Sequence, residues 1–167
     1  MNQRRAYRSF VSYIDRSREY YAAQGYPQPY TWACHDDAPF APLKKPLSEC
    51  RLGLVTTAGK MDAEAEREGR RKTKELYAMA ANPAPTRLFT SDLAWDKVAT
   101  HTDDVESFLP LNRLAEYASA GRIGSVSPRF YGVPTEYSQG KTSLRDAPKV
   151  LEWCREDGVD ALLLSAL

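Results

Sequence analysis

Cysteine is scarce in this chain. Only three occur in 167 residues, and Cys34, Cys50 and Cys154 stand far apart. An odd, dispersed set builds no disulfide framework, and no CxxC or Cys/His pairing has the spacing of zinc ligands. Reduced thiols in a reducing compartment are expected, and with them a cytoplasmic location. Charge of one sign is missing too: 23 Lys and Arg stand against 22 Asp and Glu, a formal net charge of +1. That balance draws in neither nucleic acid nor an anionic membrane, so neither is expected as a partner. Long apolar runs are absent, and the aliphatic stretch at residues 161–164 is far too short to span a bilayer. The basic residues Arg4 and Arg5 lead into no apolar segment, which excludes a signal peptide.

What remains is an ordinary globular composition, 43% apolar and 27% charged, enough for one domain or the first half of a two-domain protein. Residues 1–25 are read as an N-terminal helix. Tyr7, Phe10, Val11, Ile14 and Tyr21 recur at helical intervals, and Gly25 and Pro27 end the run. Residues 26–49 carry five prolines with Tyr30, Trp32 and Phe40 among them, and are read as an extended arm docked on the domain. Within it, Cys34-His35-Asp36-Asp37 is either a reactive or metal-binding group or an acceptor-rich turn.

Residues 50–167 read as an α/β domain. Residues 50–57 form a strand closing in the small loop Ala58-Gly59-Lys60, and residues 61–81 are helix-competent but weakly amphipathic. Leu88-Phe89 marks a short strand, and residues 91–107 are polar and irregular. A helix is expected over residues 111–120, ended by Gly121, and a strand over 123–127 running into the loop 128–132. Asp146 is expected to cap a helix with Pro148 in its first turn and Val150, Leu151 and Cys154 on its inner face. Gly158 then precedes a final strand at the carboxyl end. Strands alternating with helices through short connections imply a mostly parallel sheet with flanking helices, a Rossmann-like half of a larger two-part enzyme.

Three groups of residues carry candidate chemistry. The segment from Gly53 to Lys60 falls short of a Walker loop, because five residues separate Gly53 from Gly59 and Met61 replaces the hydroxyl. Thr56, Thr57 and Gly59 still suit close approach of a small ligand, or else form a structural turn. His101 with Asp103 and Asp104 either binds a metal, orients a base or grips a substrate amine, with substrate positioning preferred to metal, or is structural, Asp103 and Glu106 having capping-box spacing. Arg129 follows the second strand and either clamps a carboxylate through two parallel hydrogen bonds or pairs internally. Glu136 and Tyr137 are weaker candidates.

In sequence the chain resembles the selenoprotein B family of glycine, sarcosine, betaine and D-proline reductases. The resemblance rests on Pro39-Phe40-Ala41-Pro42-Leu43-Lys44-Lys45-Pro46-Leu47-Ser48-Glu49-Cys50-Arg51-Leu52-Gly53-Leu54-Val55-Thr56-Thr57-Ala58-Gly59. It continues in Thr100-His101-Thr102-Asp103-Asp104 with Phe108-Leu109-Pro110, in Gly121-Arg122-Ile123-Gly124-Ser125 with Pro128-Arg129, and in Asp157-Gly158-Val159-Asp160-Ala161. It implies an oxidoreductase that cleaves a C–N bond of an amine or amino-acid substrate through a selenol or thiol. It also implies a partner reductase subunit, whose pyruvoyl group activates the amine; no cofactor is expected on this chain itself. The family's redox motif follows the strand matching residues 160–167, so the redox residue is expected after Leu167. The chain is then catalytically incomplete, through a UGA codon read as stop or through trimming. The alternative is a non-catalytic α/β binding or subunit-assembly module. In either case an uncovered apolar last strand predicts self-association.

Overall fold

The computed structural model describes residues 12–26, 28, 33–34, 36–37, 41–68, 74–91, 93, 98–136 and 138–167. Expectations for residues 1–11, Pro27, Tyr30, Trp32, His35, Phe40 and Tyr137 lie outside them. The chain divides into two compact units, Met1–Pro39 and Phe40–Leu167. In the first, helix α1 spans Tyr13–Ala23, and Ser12 Oγ accepts a hydrogen bond from the Asp15 amide at its start. Gly25 ends it with a φ of +85°, and its amide donates to the Ala22 carbonyl.

The second unit begins at Phe40, ten residues before the expected α/β boundary, because the end of the proline arm is tied to the sheet. Lys45 Nζ lies 2.7 Å from the Asp160 carboxylate. Strand β1, Arg51–Thr56, forms the centre, with residues 53–56 buried. Strand β5, Ala161–Ser165, pairs with it in parallel from Leu52↔Ala161 to Thr56↔Ser165. The opposite edge of β1 takes two short parallel strands in series. These are β3, Ser125–Val126, opposite Arg51 and Leu52, and β4, Arg129–Gly132, whose Tyr131 and Gly132 face Val55 and Thr56. Three steps along β1 therefore match five along β3–β4, a bulge at Ser127 and Pro128.

Two sequence expectations fail here. Residues 128–132 are strand rather than loop from Arg129 onward, because Phe130 and Tyr131 are both wholly buried, one on each face. Residues 61–81 are not one helix: among the described residues helix α2 covers Ala63–Glu68, and Tyr77–Ala80 form strand β2, antiparallel to β4. Tertiary contact overrides helix propensity at Tyr77. Its hydroxyl donates to the Ala58 carbonyl at 2.6 Å, and its ring meets Phe130 edge-on at 6.0 Å.

Helix α3, Leu111–Ser119, covers one face of the sheet, where Leu111, Leu114, Phe108 and Leu109 pack with Leu54 and Phe130. On the other face lies a helix capped by Ser138. It runs through α4, Gln139–Lys141, a π-helical turn, Thr142–Asp146, and α5, Ala147–Glu156. Asp146 is thus inside the helix rather than its cap, and Leu151 is exposed rather than inward, while Val150 and Cys154 pack on Val55 and Tyr131. Leu88 and Phe89 make only an isolated bridge, Gly59↔Phe89. The architecture is α/β, a mostly parallel sheet with flanking helices. Among the described residues no helix is long and apolar enough to cross a membrane.

Candidate functional site

Parallel pairing brings the carboxyl ends of β1 and β5 to one rim, the position where open α/β sheets bind ligands. Thr56 is fully buried, and its hydroxyl accepts from the Ala58 amide at 3.2 Å. Thr57 Oγ1 accepts from the Leu167 amide at 2.9 Å, which fastens the end of β5 to the loop after β1. Below this rim, between β5 and α5, lies a cleft of about 580 Å³ whose walls include Val55, Thr56, Thr57, Asp146, Cys154, Leu162 and Ser165. Of its polar groups, Thr56, Thr57, Thr142, Asp146 and Ser165 lie toward the carboxyl end of the strands, while Asp160, paired with Lys45, lies at the far end beside Val159, Cys154 and Leu162.

Asp146 escaped the sequence reading as a site residue. It ends the π-helical turn before α5, is buried, and lines the cleft. Its Oδ1 accepts from Arg145 Nε at 2.7 Å. Glu136, behind it, accepts from Lys141 Nζ at 2.8 Å, and that hydrogen bond holds its carboxyl below the usual range. Burial pushes the Cys154 thiol up, only partly opposed by a hydrogen bond from Tyr131.

Arg129 does not reach the rim. It is the first residue of β4, so it sits at the amino end of the parallel strands, opposite Thr57 and Leu167. Its Nε donates to Asp157 Oδ2 at 2.9 Å, and Nη2 donates to Asp157 Oδ1 at 2.9 Å and to Glu156 Oε2 at 2.8 Å. These carboxylates raise the guanidinium's pKa and leave it no fork for a substrate. Tyr131 also donates to Asp157 Oδ2, at 2.7 Å. Burial alone would raise the Asp157 carboxyl, but Arg129 and Tyr131 outweigh it and hold it low. The clamp assigned to Arg129 is therefore an internal ion pair.

His101 and Asp103 lie apart from the cleft. Both are exposed, with Nδ1 and Oδ2 at 3.7 Å, and they border a separate polar hollow of about 590 Å³ with Arg87, Glu66, Thr90 and Thr102. Asp104 is structural. It caps the turn Val105–Ser107 by accepting from the Glu106 amide at 3.0 Å, so the cap is Asp104 and not Asp103. Glu106 then accepts from the Asn112 and Arg113 amides at 3.0 and 3.1 Å, closing the start of α3. Gly59 spends both its backbone groups on Phe89. Among the described residues no three His, Cys, Asp or Glu side chains are grouped to hold a metal ion. The seven expected site residues thus divide, with Thr56 and Thr57 at the cleft and His101 and Asp103 at the hollow. Gly59 is in the loop between, and Asp104 and Arg129 are engaged in structure. No family model matches the chain, and neither a curated protein nor a solved structure matches it.

Proposed function

We propose that this chain supplies the substrate-binding rim of a selenol- or thiol-dependent reductase of the glycine, sarcosine, betaine and D-proline reductase type. The reaction would take two electrons and two protons from a dithiol, replace C–N by C–H and N–H, and leave a disulfide. The observation that carries this reading is the joined rim, where Thr57 holds Leu167 above a cleft with hydroxyls and one carboxylate at its mouth. The motif succession supports it as well. Asp146 and the hydroxyls of Thr142 and Ser165 would receive the amine, beside the aliphatic side chains of Val55, Val150 and Leu162 that line the cleft. The attacking selenium or sulfur would come from outside the cleft's own residues, since burial pushes the Cys154 thiol up, away from the thiolate.

A partner's pyruvoyl group finds little to grip in the loop after β1. Thr56 and Thr57 have committed their hydroxyls and Gly59 its backbone. Three free cysteines, Cys34, Cys50 and Cys154, agree with a reducing, cytoplasmic setting.

The test is titration of the chain with glycine, sarcosine, betaine and D-proline, followed by amide NMR shifts. Saturable shifts at Thr57, Asp146 and Ser165, weakened about tenfold in Asp146→Asn, are expected. Shifts confined to His101 and Asp103, or none with any amine, would sink the assignment. A second reading, a non-catalytic assembly module, is favoured by the exposed leucines of β5. Thiol-dependent turnover of any of these amines by the chain with a dithiol would eliminate it.

A further inference from the structure

The cleft between β5 and α5 holds two carboxylates, Asp146 and Asp160, and its described lining residues include no lysine, arginine or histidine. The cations that touch these carboxylates are already engaged with them. Lys45 Nζ lies 2.7 Å from Asp160, Arg145 Nε donates to Asp146 Oδ1 at 2.7 Å, and neither cation lines the cleft.

Asp146 is placed by the helix that carries it. Val150, one turn further on, packs with Val55. Helix α5 leads from β4 across to β5, which are both parallel to β1, so it runs against the strands. One turn back from Val150 therefore lies toward the carboxyl rim, the end of the cleft that Thr57 and Val133 line. There the Asp146 side chain is 4% exposed. Its Oδ2 accepts no hydrogen bond from the described residues. Nor is that oxygen enclosed, because Thr135 Oγ1 is the one fully buried side-chain polar atom among them without a partner. Oδ2 thus opens onto the cleft. A carboxylate so deeply buried, with one oxygen open, favours a cation that can donate to it.

We infer that the cleft takes a protonated amine whose other substituents carry no charge, such as an α-amino amide, in preference to an amino-acid zwitterion. This rests on the reading of the cleft as an amine site and narrows its substrate class. With the ammonium on Asp146 Oδ2, a carboxylate on the same α-carbon is held close to the Asp146 carboxylate and repelled by it. It is also laid among aliphatic side chains with no free cation to receive it. A carboxamide in its place brings no charge to desolvate. The Thr142 hydroxyl, four residues before Asp146 and on the same cleft wall, is there to bond it.

The test is titration of the full chain at about pH 6.5, below the α-amino pKa of about 8. The ligands are matched pairs, sarcosine with sarcosinamide and D-proline with D-prolinamide, followed by backbone NMR shifts at Thr57 and Asp146. Each carboxamide is expected to bind at least about tenfold more tightly than its acid. N-acetylglycinamide, which has no ammonium, is expected to give no saturable shift at these residues. Asp146→Asn should bring each pair within about threefold. Thr142→Lys, at an exposed position, tests the same point without touching a buried group. Its ammonium competes for Asp146 and supplies a cation for the acid, so the preference shrinks or reverses. Equal or tighter binding of the acids at Thr57 and Asp146 would overturn this specificity and leave the amine site standing. Binding of N-acetylglycinamide as tight as that of the carboxamides, or a preference unchanged in both variants, would overturn it too. Absence of binding at these residues by every ligand would sink the amine site itself, and the specificity with it.

Discussion

The ring of Tyr77 fills the space that a side chain at Gly132 would need. A Cβ built at Gly132 falls 1.9 Å from Tyr77 Cε1, closer than any real contact. These two residues pair directly across β2 and β4, and the absence of one side chain makes room for the other. Gly132→Ala is therefore expected to destabilise the fold by about 3 kcal/mol in urea denaturation. Tyr77→Phe, which removes the hydrogen bond to the Ala58 carbonyl, should cost about 1–2 kcal/mol. A neutral Gly132→Ala would mean that Tyr77 does not occupy this place.

Removing Arg129 should damage stability rather than ligand affinity. Its fork serves Asp157, whose side chain is only 9% exposed and would be left as an unpaired carboxylate. Arg129→Met is expected to lose about 2–3 kcal/mol, and Arg129→Lys to recover only part of it, because an ammonium makes no planar fork. The same pair sets an acid limb. With its folded pKa depressed, Asp157 contributes stability above the unfolded carboxylate pKa of about 3.9, and this is lost as pH falls through the lower folded value. Asp157→Asn should be less stable at neutral pH and lose less on acidification below about pH 4. Equal acid sensitivity in both proteins would contradict the pairing.

Around His101 the structural and solvent-facing residues should separate cleanly. Pro110 offers α3 no side-chain cap, and Glu106 takes two of its free amides instead. Glu106→Ala and Asp104→Ala are each expected to cost about 1 kcal/mol in thermal or urea unfolding. His101→Ala and Asp103→Ala, both at exposed positions, should stay within about 0.5 kcal/mol. Loss of stability in His101→Ala comparable to that in Glu106→Ala would reverse these roles.

Much of the α/β frame was legible without coordinates, and for identifiable reasons. β1 and β5 are short aliphatic runs bounded by turn residues. Gly121 and Gly158 mark helix ends with positive φ, and α3 places Leu111 and Leu114 one turn apart. The parallel pairing of β1 with β3 and with β5 follows because α3 precedes β3 and α5 precedes β5 in the connections. From it came the meeting of Thr57 with the end of β5 at one rim.

The sequence by itself determined where chain direction changes and which runs are apolar enough to be interior, because turn residues and periodicity act over a few positions. Only the tertiary structure decided that residues 77–80 are a strand, that Arg129 serves Asp157, and that Asp146 faces a cleft. Each depends on a partner distant in sequence: Gly132 for Tyr77, the end of α5 for Arg129, and β5 for the cleft wall that Asp146 completes. Local preference at these positions is worth a fraction of a kcal/mol per residue. Burying an aromatic ring or completing a buried ion pair is worth several, so the distant contact prevails.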